Sequence, residues 1–109
     1  MNLTNEKIGD FTVLHIEGRI DTTNFSQFES EINRLFDAGE MNIVFDCSGL
    51  HYISSSGLRV FLIAQKKTLP INGKLHLCKL QPAIKEIFDI SGFSSIFKIF
   101  ETQESALKS

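Results

Sequence analysis

The run Met41-Asn42-Ile43-Val44-Phe45-Asp46-Cys47 restricts this chain more than any other stretch. Ile43, Val44 and Phe45 are consecutive apolar residues with no alternation. A strand with one wet face alternates apolar and polar side chains, whereas a strand without alternation is buried on both faces. A central strand covered by helices is therefore expected here, and the fold must supply those helices.

The surrounding segments do so. Phe11 to Ile20 is rich in apolar and β-branched residues and reads as a strand, with Asn2 to Ile8 as its hairpin partner across Gly9-Asp10. Residues 22–38 carry Phe25, Phe28, Ile32, Leu35 and Phe36 on one helical face. Asp21, Thr22 or Thr23 can cap that helix, and Gly39 can end it. Ser48-Gly49 reads as a turn after the central strand, followed by Leu50 to Ile53. A second helix opens on Ser54-Ser55-Ser56-Gly57 and closes on Lys66-Lys67, and its apolar residues nearly encircle it. Asn72-Gly73 is a turn, and Lys74 to Leu80 a strand with Leu75 and Leu77 on one face. Pro82 suits the first position of a third helix that ends at Ser91-Gly92. Ile96 to Phe100 is a last short strand, and Thr102 caps a terminal helix from Gln103 to Lys108.

Strands alternating with helices imply an α/β fold: a mostly parallel, mixed sheet of about five strands with about four helices. In such sheets functional loops gather at the carboxyl ends of the strands. The loops after Ile20 and after Phe45 are the candidates for that edge.

One domain spanning residues 1–109 is expected, because domains commonly run to about 100–150 residues. Charge excludes several functions. Lys and Arg total 11 against 13 Asp and Glu, a net charge of −2, with no basic stripe to meet nucleic acid or an anionic membrane. No apolar run approaches the roughly 18 residues of a membrane span, and no segment reads as a signal peptide. Cys47 and Cys78 have no metal-binding spacing and read as buried thiols of a cytoplasmic protein. Phosphate-loop, dinucleotide and nucleophile-elbow motifs are absent, and His15, His51 and His76 share no metal spacing. An enzyme is not expected, nor a cofactor.

The informative stretch is Asp46 to Arg59. Three serines exceed what one helix cap needs, and Gly57 permits close approach of another backbone. A phosphate at a helix start is tolerated or stabilised, by about 0.3–1 kcal/mol at exposed sites. Modification there would leave the fold intact and place about −1.5 to −2 charge on the loop surface. Asp46 either offers a carboxylate to the same edge or forms a turn with Ser48 and Gly49.

Four motifs in order resemble the STAS domain family, in particular the single-domain anti-sigma factor antagonists of bacteria. Gly18-Arg19-Ile20-Asp21 is similar to the family's Gly-x-Leu/Ile-Asp. Val44-Phe45-Asp46-Cys47-Ser48 is similar to its Val-x-Asp-Leu-Ser. Ser54-Ser55-Ser56-Gly57-Leu58 is similar to Asp-Ser-Ser/Thr-Gly-Leu. Pro82 to Gly92 is similar to Pro-x-Val-x-x-Leu/Phe-x-x-x-Gly. The resemblance implies partner switching. The unmodified protein binds an anti-sigma factor that is also a serine kinase and so frees a sigma factor. Phosphorylation ends the binding, and a serine phosphatase resets it. It implies Ser55 as the acceptor, and Asp21, Ser54, Ser56 and Gly57 at the partner-facing edge. Ser54 replaces the motif's Asp, which leaves Ser54 and Ser56 as alternative acceptors. The other use the family suggests is an interaction module of a signalling scaffold or a lipid-transport complex.

Overall fold

In a computed structural model describing residues 1–109, the chain forms one five-stranded sheet with strands in sequence order. The elements are β1 (Asn2–Ile8), β2 (Phe11–Ile20), α1 (Phe25–Asp37), β3 (Asn42–Ile53), α2 (Ser55–Thr68), β4 (Lys74–Cys78), α3 (Pro82–Ser91), β5 (Lys98–Phe100) and α4 (Gln103–Lys108). A 3-10 turn at Phe93–Ser95 precedes β5. β1 pairs antiparallel with β2, and every later pair is parallel.

Each parallel crossover steps to the next strand in the same direction. Right-handed crossovers then place every connecting helix on one face. The packing agrees: residues of α1, α2 and α3 share a core of nineteen buried residues with Ile43, Phe45 and Cys47 of β3 and Leu75 and Leu77 of β4. Phe61 of α2 is the hub, with its ring 5.5 Å from Phe28, 5.1 Å from Phe45 and 5.8 Å from Phe88. Only one stripe of α2 is fully buried (Gly57, Val60, Phe61, Ala64 and Thr68), so its apolar residues encircle it less completely than their number suggests.

The other face is covered by α4 alone. Val44, Val13, Phe11, Cys78 and Ala106 make a five-residue cluster there. Cys47 and Cys78 are free and buried, one in each core. Burial pushes both thiols up, Cys47 far up and Cys78 to about 12, so both stay protonated and inert.

Other sequence expectations change as well, and β4 ends at Cys78 rather than Leu80. Ser48-Gly49 is not a turn: β3 runs unbroken to Ile53, and the parallel register with β2 slips twice, between His15 and Glu17 and between Gly18 and Arg19. An extra β3 residue is accommodated at each slip, as in a bulge. The loop at the carboxyl edge therefore follows Ile53, not Phe45. The last strand is also shorter than Ile96 to Phe100, because the 3-10 turn carries the chain round before Lys98.

Candidate functional site

The carboxyl ends of β2 and β3 feed directly into α1 and α2. The amide of Ser54 donates to the carbonyl of Ile20 at 2.9 Å. That one bond ties the β2–α1 loop to the start of α2, and puts Asp21 and Ser55 each one residue away from it.

The three serines separate by geometry. Ser54 is the N-cap of α2, with extended backbone, and its hydroxyl oxygen accepts from the amide of Gly57 at 3.2 Å. It is also hydrogen-bonded to the Ser56 hydroxyl at 2.7 Å. Ser54 is only 9% exposed and Ser56 half-buried. Ser55, the first helical residue, is exposed, and its hydroxyl is bonded to no group of the protein. Asp and Ser are comparably good N-caps. Ser54 thus does locally what the family motif's Asp would do, at the expense of a charge.

Gly57 is buried. A Cβ there would lie 2.7 Å from Ile20 Cγ2 and 2.8 Å from Ile53 Cγ1. The glycine serves close approach, as its sequence suggests, but to side chains at the ends of β2 and β3 rather than to another backbone. Ser54 and Gly57 are buried beneath the surface of this rim. Ser55 is exposed on it, and Ser56 and Asp21 are half-buried.

Asp21 is held in place by its own loop. Its Oδ1 accepts from the Thr23 amide at 2.9 Å and the Thr23 hydroxyl at 2.6 Å. These two bonds, with a smaller pull from Arg19, keep the carboxyl below its usual range. Asn24, not Asp21, Thr22 or Thr23, stands at the helix boundary. It braces the loop, accepting from the Asp21 amide at 2.9 Å and donating to the Arg19 carbonyl at 2.9 Å.

A groove of about 540 Å³ runs from this rim between α1 and α2. Phe25, Val60 and Ile63 supply its apolar wall, Glu29 and Arg59 its charges, and Ser55 and Ser56 its mouth. Arg19 lies 4.3 Å from the ring centre of Tyr52, which is 41% exposed. Sequence reading missed Phe25, Glu29, Arg59 and the Arg19–Tyr52 pair. The only available signal was that Arg59 falls four residues after Ser55, one turn along the same helix face.

Asp46 is not part of this edge. Its side chain lies on the α4 face of the sheet, where Oδ1 accepts from the Ser48 amide and hydroxyl and Oδ2 accepts from Gln103. Burial pushes this carboxyl up, but those bonds and Lys79 together outweigh it and hold it below its usual range. The turn-like bond to Ser48 is real, though it sits inside a continuous strand. No group of three or more His, Cys, Asp or Glu side chains comes together as a metal site. No helix is long and apolar enough to cross a membrane.

A pair of loops tied at the end of a parallel sheet, with an exposed serine starting a helix buried along one stripe, defines a class of small α/β domains. The STAS domain profile matches residues 2–106, and the chain belongs to the STAS family. BtrV of Bordetella bronchiseptica, named for an anti-sigma factor antagonist role, is 41% identical over 106 residues, 97% of this chain and 91% of its own. A Thermotoga maritima protein, likewise named, superposes with a TM-score of 0.92 at 18% identity, covering 97% of this chain and 92% of that one. SpoIIAA of Bacillus in its phosphorylated form superposes with a TM-score of 0.76 at 20% identity, covering 98% of this chain and 97% of that one.

Proposed function

We propose that this protein is an anti-sigma factor antagonist that works by partner switching, with Ser55 as the switch. Unmodified, it docks an anti-sigma factor that is also a serine kinase, through the rim formed by Asp21, Ser55 and Ser56. Docking releases the sigma factor. The kinase then moves the γ-phosphoryl group of ATP to Ser55 Oγ; the hydroxyl loses its proton and ADP departs. A serine phosphatase breaks the ester with water, returning the hydroxyl and inorganic phosphate. The protein acts in the cytoplasm as a binding module and catalyses nothing itself.

The observation that carries this reading is the state of the three hydroxyls. Two are spent on the cap and on each other, and only Ser55 is exposed and free. A kinase needs such a hydroxyl. A phosphate added there meets the unpaired amides at the helix start and does not disrupt the core. It does place about −1.5 to −2 charge on the docking rim, where repulsion and desolvation oppose the partner. That Bacillus SpoIIAA keeps this fold when phosphorylated supports the compatibility of the two.

The test is incubation with the cognate kinase and ATP, read by intact mass and fragmentation. Wild type should gain one phosphoryl group at position 55, and Ser55→Ala none. Full modification of Ser55→Ala overturns the assignment. Ser55→Asp should keep its circular dichroism spectrum and lose affinity for the kinase; undiminished affinity counts against the charge-based account.

A further inference from the structure

Arg59 stands out among the three arginines. Arg34 is engaged by Glu31 on its own helix. Arg19 lies over Tyr52 and near Asp21. Arg59 is exposed and has no hydrogen bond or ion pair within the protein, although it lines the same groove as Ser55. The two residues are four apart on α2, so they share a face one turn apart. Side chains on a helix lean toward its N-terminus, which aims Arg59 back along the groove toward Ser55. Glu29 of α1 faces the groove and is the other charge that lines it. It too lacks an ion pair, so Arg59 and Glu29 flank the groove uncommitted.

We infer that Arg59 is the internal counter-charge for a phosphate on Ser55. This rests on the partner-switching reading and gives its modified state a structure. A guanidinium presents a planar fork of donors that suits phosphate oxygens, and it stays charged across the accessible pH range. Once the phosphate is in place, Arg59 turns from the open groove to the ester. One modification thus makes two changes to the docking face: it adds an anion at the rim and withdraws a cation from the groove. Glu29 opposes the capture, because it sets a like charge across the same cavity.

The experiment installs phosphoserine at position 55 during translation of the full chain, so no kinase is involved, and follows the phosphate by phosphorus NMR against pH. A free phosphoserine has its second ionisation near pH 6. In otherwise wild-type protein the midpoint should lie lower. Arg59→Gln should raise it by about half a unit, the size of a single nearby charge partly screened by water. Arg59→Lys should restore much of the shift, and Glu29→Gln should lower the midpoint further. Phosphorylation should also move the Val60 and Ile63 amide and methyl resonances in wild type and leave them nearly still in Arg59→Gln. Arg59 is exposed and Glu29 half-buried at the groove, so unchanged circular dichroism verifies the fold. Equal midpoints in wild type and Arg59→Gln overturn the inference. Failure of the kinase to label Ser55 overturns partner switching instead, by a measurement that does not involve Arg59.

Discussion

The two faces of the sheet are built on different principles. The front face carries α1, α2 and α3 over a nineteen-residue core in which Phe61 touches the rings of neighbours from α1, β3 and α3. The back face has a five-residue cluster and one helix of six residues. Polar groups help to hold that helix. His76 Nδ1 donates to the Ala106 carbonyl at 2.8 Å, with its ring between Phe11 and Phe100, and Gln103 reaches Asp46. The front core is apolar throughout, with the Cys47 thiol as its one ionisable group, whereas the back helix is bound by the titratable side chains His76 and Asp46. The rim that carries Ser55 belongs to the front, at the start of the helix that holds Phe61.

The comparison breaks most easily at Phe61. Phe61→Ala should cost about 3–5 kcal/mol in chemical denaturation, because removing the hub leaves a cavity that neighbours on several elements cannot close together. A loss below ~1 kcal/mol would mean that the front core is not a single unit.

Acid tests the back. Burial holds His76 below its usual range in the folded chain, and Lys98 and Lys74 add to this, against the bond to Ala106. Below the unfolded value of about 6.5 the unfolded chain binds this proton before the folded chain does, so stability falls as pH falls through that window. Asp46, also held low, adds a further loss once the pH drops below about 3.9, where the unfolded carboxyl takes up its proton first. Amide exchange should therefore show α4 losing protection as pH drops below about 6.5, with α2 unaffected. A variant His76→Phe should lose the pH dependence in the upper window. Equal acid sensitivity of α2 and α4 would erase the contrast between the faces.

The smallest effects sharpen it within the rim. Ser54→Ala should cost about 1 kcal/mol, the value of a lost N-cap, and Ser54→Asp should recover it. Ser55→Ala should change stability by less than about 0.5 kcal/mol, as an exposed residue with no partner does. Comparable losses at both positions, read by urea denaturation, would show that the two hydroxyls are not divided between structure and surface.

The order of strands and helices was legible because apolar spacing and caps are local signals. Ile43-Val44-Phe45 marked the central strand, and Thr102 marked the start of α4 with its hydroxyl on the Ser105 amide. Ser48-Gly49 misled because the turn chemistry is present, with Asp46 accepting from the Ser48 amide. Pairing with β2 on one side nevertheless keeps the segment extended, so a local preference became a bulge inside a strand. At the site, Ser54 to Gly57 could be picked out from their own composition. The division of labour among the serines depends on Ile20 and Ile53 crowding Gly57, and the groove depends on how α1 meets α2. Neither relation exists in one segment alone, so Phe25, Glu29 and Arg59 became visible only in three dimensions.

Phe61 has one more consequence. A helix packed against rings on several sides resists gradual deformation, as tightly packed interiors do. Under the proposed reading the molecule then stores its state in an ester bond and not in a shape. Such a record does not fade with thermal motion; it lasts until an enzyme hydrolyses it, and the cell sets its lifetime by how much of that enzyme it makes.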